Sequence, residues 1–170
     1  MIDHMRRLGV DVGGVIIERS DGDDDTSFFG PDYLRTPPLT GVFEALAALV
    51  PRFDEAYVVS KCSEPTERRT RDWLAHHDFA ARTGIDPDRW YFCATRPEKG
   101  PIAARLRLTH FVDDRLDVLT CLDTVPHRYL LGAPRSAVAA AQEAGVHRVA
   151  SWPELAAVLA AQLTPGPAGG

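Results

Sequence analysis

At 170 residues and 45% hydrophobic composition, the chain is long enough to bury one sizeable core. Its formal net charge of −5 argues against general affinity for nucleic acid or for an anionic membrane surface. No apolar run approaches a membrane span and residues 1–7 lack the apolar core of a secretory signal, so no membrane partner is expected. Cys62, Cys93 and Cys121 are odd in number and widely spaced, which fits neither a zinc site nor a disulfide framework; a reducing cytoplasm is the expected home.

In chain order, Arg7–Val12 reads as a first strand, apolar from Leu8 except where it reaches Asp11, and followed by Gly13-Gly14. A carboxylate at the tip of such a strand needs a metal, a cation or dense hydrogen bonding to compensate it. The glycines let the chain turn sharply and let a ligand approach; the plainer alternative is an aspartate capping a tight turn. Glu18–Pro38 fits neither strand nor helix, and an insertion of this length in a compact domain is usually functional or disordered. Its acids Asp21, Asp23, Asp24 and Asp25 lack the spacing of a calcium loop and read as a solvated acidic stretch.

Thr40 is a good N-cap for a helix running to Leu49. Ala56–Ser60 is a second strand, ending in a hydroxyl. Ser63 opens a helix with Pro65 in its first turn, and its Arg68, Arg69 and Arg71 read as a solvated face. A short strand, Trp90–Cys93, is followed by a helix over Pro97–Leu106 that carries Lys99 near its start. Phe111–Asp113 is a third long-range strand, ending in Asp113-Asp114. A helix over Leu116–Leu122, a strand Arg128–Leu131, a helix Ser136–Ala144 stopped by Gly145, a strand Val146–Val149 and a helix Trp152–Leu163 complete the chain. Alternation of this kind predicts an α/β fold with a doubly wound, mostly parallel sheet flanked by helices. One domain over residues 1–163 is expected, with residues 164–170 as a frayed tail.

Adjacent acids at an apolar strand end repel unless a cation intervenes, so Asp113-Asp114 is a candidate metal site. Lys99 gains weight because the chain holds two lysines, Lys61 and Lys99, among 19 basic residues. Where arginine is so favoured, a lysine is kept for its compact charge. Asp11, Ser60, Lys99 and Asp113-Asp114, in that order and mostly at strand ends, resemble the haloacid dehalogenase (HAD) superfamily of phosphotransferases, over nearly the whole chain from about Arg7 to Leu159.

The resemblance implies a Rossmann-like core with residues 18–38 as a flap over the site and no large cap domain. It also implies that Asp11 is the nucleophile, forming an aspartyl phosphate. Mg²⁺ would be held by Asp11, the Gly13 carbonyl and Asp114, with Asp113 either binding a water of the metal or holding Lys99. Ser60, Lys61, Lys99 and Gly14 would contact the phosphate. The implied partner is a small phosphorylated substrate. An open site leaves room for a large substrate or for a neighbouring subunit of a homo-oligomer. The Val112-Asp113-Asp114-Arg115 strand end, without a cap, is also similar to small nucleotidase-like members.

One position departs from the pattern. Most HAD phosphatases carry a second aspartate two residues after the nucleophile, which protonates the leaving group and then activates water; here that position is Gly13. Glycine keeps a carbonyl but moves no proton, and general acid–base catalysis is typically worth about 10²–10⁴ in rate. Three explanations stay open: substitution by Glu18, Asp23, Asp24, Asp25 or a nearby histidine; an activated phosphate as substrate; or a phosphate-binding module without turnover. Phosphonate hydrolysis and dehalogenation fit less well, the first for want of a cap lysine and the second because it has no use for Asp113-Asp114.

Overall fold

Six strands form one parallel sheet in a computed structural model that describes residues 4–19, 28 and 30–163. They are β1 (Arg7–Val10), β2 (Glu55–Lys61), β3 (Trp90–Cys93), β4 (His110–Asp113), β5 (His127–Leu131) and β6 (His147–Val149), in the order β3-β2-β1-β4-β5-β6. The order reverses between β1 and β4, and open α/β sheets bind ligands at the carboxyl ends of the strands at such a switch point.

Among the described residues seven α-helices cover the sheet: α1 (Val42–Leu49), α2 (Glu64–His76), α3 (Phe79–Thr83), α4 (Lys99–Arg105), α5 (Leu116–Leu119), α6 (Val138–Glu143) and α7 (Trp152–Leu163). Strand side chains alternate between two apolar layers, as a pleated strand requires. Leu8, Val10, Val58 and Val112 join Leu46, Trp73, Phe79 and Leu159 on the α1, α2, α3 and α7 side. Tyr57, Val59, Phe111 and Leu130 join Ala103, Leu119 and Ala141 on the α4, α5 and α6 side. Gly9 belongs to the second layer, where a Cβ would come within 2.6 Å of Leu108 and 2.7 Å of Phe111. The central strand is thus thinned at one residue so that Phe111 can lie across it.

Several expected boundaries shift. β1 ends at Val10, so Val12 has left the sheet. Val15, Ile16 and Ile17 are buried, yet in a tight loop: the amides of Val15, Ile16 and Ile17 all turn back to the Val12 carbonyl at 2.8–3.1 Å. Gly41, with φ of 79°, caps α1 in place of Thr40. The stretch Arg96–Glu98 is a 3₁₀ turn, so α4 proper starts at Lys99 rather than at Pro97. Sequence periodicity did not anticipate the five-residue α3, which is too short to carry one.

The stems of the 18–38 insertion pair with each other: the Glu18 amide bonds Pro37 O at 2.9 Å and the Leu39 amide bonds Ile16 O at 2.8 Å. Its returning limb docks on α2, where Trp73 Nε1 donates to Thr36 O at 2.9 Å and the Tyr33 hydroxyl to Asp72 at 2.9 Å. Asp21, Asp23, Asp24 and Asp25 lie outside the described residues, as does the tail 164–170. No cap domain interrupts the sheet and its helices among the described residues, and no helix there is long and apolar enough to cross a membrane.

Candidate active site

The site grows from the two central strands. The amide of Asp11 donates to Val112 O at 3.0 Å, one step past the last β1–β4 register pair. That bond sets Asp11 beside Asp113. Lys99, the first residue of α4, reaches both: its Nζ donates to Asp11 Oδ1 at 3.0 Å and to Asp113 Oδ2 at 2.9 Å. All three are deeply buried, at 6% exposure for Asp11, 2% for Lys99 and 0% for Asp113. A cation between two carboxylates is what such burial demands, since an unpaired buried charge is costly.

The start of α4 is itself pinned. Thr95 and Glu98 form a capping box, with Glu98 Oε2 accepting the amides of Ala94 at 2.9 Å and Thr95 at 3.3 Å. The loop carrying Asp11 is pinned from the other layer, where Trp152 Nε1 of α7 donates to Val15 O at 2.7 Å.

Asp113 and Asp114 take different environments despite being neighbours. Asp113 spends one oxygen on Lys99 and the other on the Arg115 amide at 3.0 Å. Asp114 Oδ2 lies 3.3 Å from Arg19 Nε, while Oδ1 is buried without a hydrogen-bond partner among the described residues. Burial raises the pKa of both acids, Asp11 adding to the rise and Lys99 opposing it at Asp113, Arg19 opposing it at Asp114. Burial pulls Lys99 down, but the charges and hydrogen bonds of Asp11 and Asp113 outweigh it and hold the ammonium above its usual range.

Oxygens of Asp11, Asp113 and Asp114 all lie within 4.8 Å of one another. Three hard carboxylates with one orphaned buried oxygen suit a small divalent cation such as Mg²⁺. Gly14 makes this possible in two ways. Its φ of 76° is left-handed, and a Cβ there would overlap the Asp114 carboxylate.

A polar pocket of about 150 Å³ opens above these groups. Its lining includes Asp11, Lys61, Lys99 and Asp113, so four of the expected residues meet there. Ser60 lies buried on the adjacent strand end and is not part of that lining; Lys61, next in the chain, is. Arg19, Arg96 and Arg115 complete the charged wall, and the sequence reading missed all three. Arg96 and Arg115 share Asp117, each at 3.2 Å. The available signal was position: Arg96 is three residues before Lys99, and Arg115 directly follows the paired acids. Of the expected stand-ins for an acid at position 13, Glu18 is exposed and outside the lining, and no histidine lines the pocket among the described residues.

No protein-family profile and no curated protein matches the sequence. Solved structures do match the fold. A D,D-heptose bisphosphate phosphatase from B. bronchiseptica, complexed with magnesium and phosphate, is 19% identical with a TM-score of 0.66, over 93% of this chain and 99% of that one. A HAD-superfamily hydrolase from Ehrlichia chaffeensis is 11% identical with a TM-score of 0.64, over 97% of this chain and 100% of that one. A HAD-family hydrolase from Deinococcus radiodurans, with bound phosphate and sodium, is 16% identical with a TM-score of 0.62, over 95% and 99%. The fold of this chain is therefore the Rossmann-type α/β fold of HAD hydrolases.

Proposed function

We propose that the chain is a Mg²⁺-dependent HAD phosphohydrolase or phosphotransferase, acting on a phosphate monoester or acyl phosphate through an aspartyl phosphate. The reading is carried by the buried Asp11–Lys99–Asp113 network at the sheet's switch point, with the orphaned Asp114 oxygen beside it. The magnesium and phosphate bound by the B. bronchiseptica phosphatase, which shares the fold, support the same reading.

Asp11 is the nucleophile. Its carboxylate forms the bond to phosphorus while the bond to the leaving oxygen breaks. Lys99 neutralises Asp11 in the resting site and the phosphoryl oxygens during transfer, inside a pocket where charge acts through little water. Lys61 and Ser60, at the end of β2, offer an ammonium and a hydroxyl to the same oxygens. Asp113 fixes Lys99, leaving Asp11, Asp114 and the Gly13 carbonyl to hold the cation. Mg²⁺, when bound, supplies positive charge to the phosphoryl group and offsets the repulsion among the carboxylates.

The substrate is a small phosphorylated molecule, handled in solution without membrane or nucleic acid, and the expected setting is the cytoplasm. A non-catalytic phosphate binder is the second reading, favoured by one observation: the side chain two residues after Asp11 is absent.

The deciding experiment is phosphate release from nucleotides, sugar phosphates, aryl phosphates and acyl phosphates, with and without Mg²⁺. Asp11→Asn provides the blank. Mg²⁺-dependent release that the variant abolishes is the expected result. Phosphate binding with no release above the blank on any substrate would leave the binder in its place.

A further inference from the structure

Position 13 is empty of a side chain, but the space in front of it is not empty of charge. Gly13 is not among the glycines with positive φ, so its backbone accepts a side chain. Among the described residues, a Cβ built there has one neighbour within 4 Å, Arg19 Nε at 3.8 Å. The same Nε lies 3.3 Å from Asp114 Oδ2, on a side chain that is 50% exposed, and Arg19 lines the pocket together with Asp11 and Lys99. A guanidinium thus stands where a side chain from position 13 would reach into the site.

We propose that Arg19 is a specificity residue that binds the leaving group, and that it restricts the substrate to phosphoric anhydrides: compounds whose leaving group departs as a stable oxyanion, either a carboxylate or a phosphate. The proposal rests on the aspartyl-phosphate reading of the site. It narrows the monoesters and acyl phosphates allowed there to one chemical class.

The argument is one of proton supply. An alkyl phosphate must expel an alkoxide, which needs a proton as the bond breaks. A guanidinium keeps its protons and does not give one up. A carboxylate or phosphate leaves without a proton, and the planar fork of arginine binds either one in two-point fashion.

The first step balances without an acid. The Asp11 carboxylate attacks phosphorus, the anhydride P–O bond breaks, and its electron pair stays on the departing oxyanion next to Arg19. The second step balances as well. Water adds to phosphorus, the P–O bond to Asp11 breaks, Asp11 returns as a carboxylate, and both protons of the water leave with the released phosphate as dihydrogen phosphate. Asp11 is then itself the leaving carboxylate, so neither half of the cycle requires a proton donor; the missing water-activating base bears on the second step, which is common to all substrates and does not set the preference among them. A pocket of about 150 Å³ suits a small anhydride.

The test compares kcat/KM for acetyl phosphate, pyrophosphate and glycerol phosphate in Mg²⁺, for the wild type, Arg19→Met, Arg19→Lys and Asp11→Asn. The wild type is expected to prefer one of the anhydrides over glycerol phosphate by about 10³-fold, within the span that a missing general acid covers. The faster anhydride identifies the leaving group as carboxylate or phosphate. Arg19→Met should collapse the preference at least tenfold and Arg19→Lys should restore part of it. A ratio between substrates is unaffected by partial unfolding, since both rates scale with the folded fraction.

Gly13→Asp provides an independent arm. Alone it should raise glycerol phosphate turnover little, because the neighbouring guanidinium would pair with the new carboxylate where the leaving oxygen must meet it. Combined with Arg19→Met it should raise that turnover about 10²-fold. Glycerol phosphate turned over within tenfold of both anhydrides, or a ratio that Arg19→Met does not move, would overturn the proposal. If Asp11→Asn still abolishes release in that case, the aspartyl-phosphate site stands and only the role of Arg19 falls. Release that survives Asp11→Asn, or is absent from all three substrates, removes both.

Discussion

The strand β4 begins at a buried histidine and ends at a buried aspartate, and its two ends solve the burial of a titratable group in opposite ways. At the carboxyl end, Asp113 is fully buried and stays among charges: Lys99 at 2.9 Å, Asp11 across the same lysine, and Asp114 next in the chain. At the amino end, His110 is 4% exposed and surrounded by rings. Phe53 meets it edge-on at 5.0 Å, His127 stacks on it at 4.5 Å, and Nδ1 bonds the Thr109 hydroxyl at 2.7 Å. One end gathers its acids around a lysine and leaves an oxygen of Asp114 unpartnered among the described residues. The other drives its group neutral and satisfies it locally. Buried acids gathered around one cation make the carboxyl end the candidate site, whereas a buried neutral group only has to be stable.

The largest effect that separates the ends is expected from Lys99→Met. It leaves Asp11 and Asp113 facing each other without a cation, and breaking a buried pair this way costs about 3–5 kcal/mol. Urea unfolding in EDTA should show that loss, and Mg²⁺ should recover part of it by binding the folded form. The sign with pH follows from Asp113. Burial and then Asp11 already raise its pKa, and removing Lys99 raises it further above the unfolded value. Proton uptake then favours the folded variant at low pH and is lost as pH rises, so the deficit should be larger at pH 8 than at pH 6. A loss that Mg²⁺ leaves untouched would contradict the cation site.

The amino end gives the next effect, with the opposite dependence on pH. Burial, helped by His127 and Arg6, lowers the His110 pKa from 6.5 to about 4. The unfolded chain therefore takes up the proton first as pH falls. Stability from this group is complete above the unfolded value and is lost as pH drops through the folded one, by about 3 kcal/mol in total. His110→Phe should flatten the stability profile between those two values while leaving phosphate release intact. An unchanged slope would mean that His110 is not buried in its neutral form.

Gly14→Ala should cost about 2 kcal/mol, since a left-handed residue with a Cβ is strained and this Cβ also displaces Asp114. Isothermal titration should show weaker Mg²⁺ binding in the same variant. Wild-type Mg²⁺ affinity in Gly14→Ala would show that Asp114 can move without consequence.

The fold was legible because a parallel sheet writes itself as short apolar runs separated by helices, and every strand but β6, His147-Arg148-Val149, has such a run. Asp11, Lys99, Asp113 and Asp114 were legible because each places a charge where the surroundings are apolar or where a helix begins. The arginines were not. Arg19 sits in an irregular loop, and its approach to Gly13 depends on the turn that Gly14 permits, which no periodicity records. Arg96 and Arg115 come together through Asp117, 21 residues after Arg96, and only the placement of the start of α5 beside the turn Arg96–Glu98 reveals that pairing. Ser60 and Lys61 show the same limit on a smaller scale: adjacent residues at a strand end point to opposite faces, and a shift of one residue decides which reaches the pocket.

Glu98→Ala gives the smallest effect and sharpens the comparison most. Glu98 bonds the amides of Ala94 and Thr95, and losing such a cap costs about 1 kcal/mol. It is adjacent to Lys99 but touches neither aspartate in the network. If the carboxyl end is held by its charges, Lys99 stays bonded to Asp11 and Asp113 when the cap is gone, and kcat/KM falls less than about tenfold, far short of Lys99→Met. If the helix start holds it, the two variants lose activity together. Phosphate release and urea unfolding on the same two proteins distinguish these cases, because only a site held by electrostatics lets the fold of the helix start loosen while the chemistry continues.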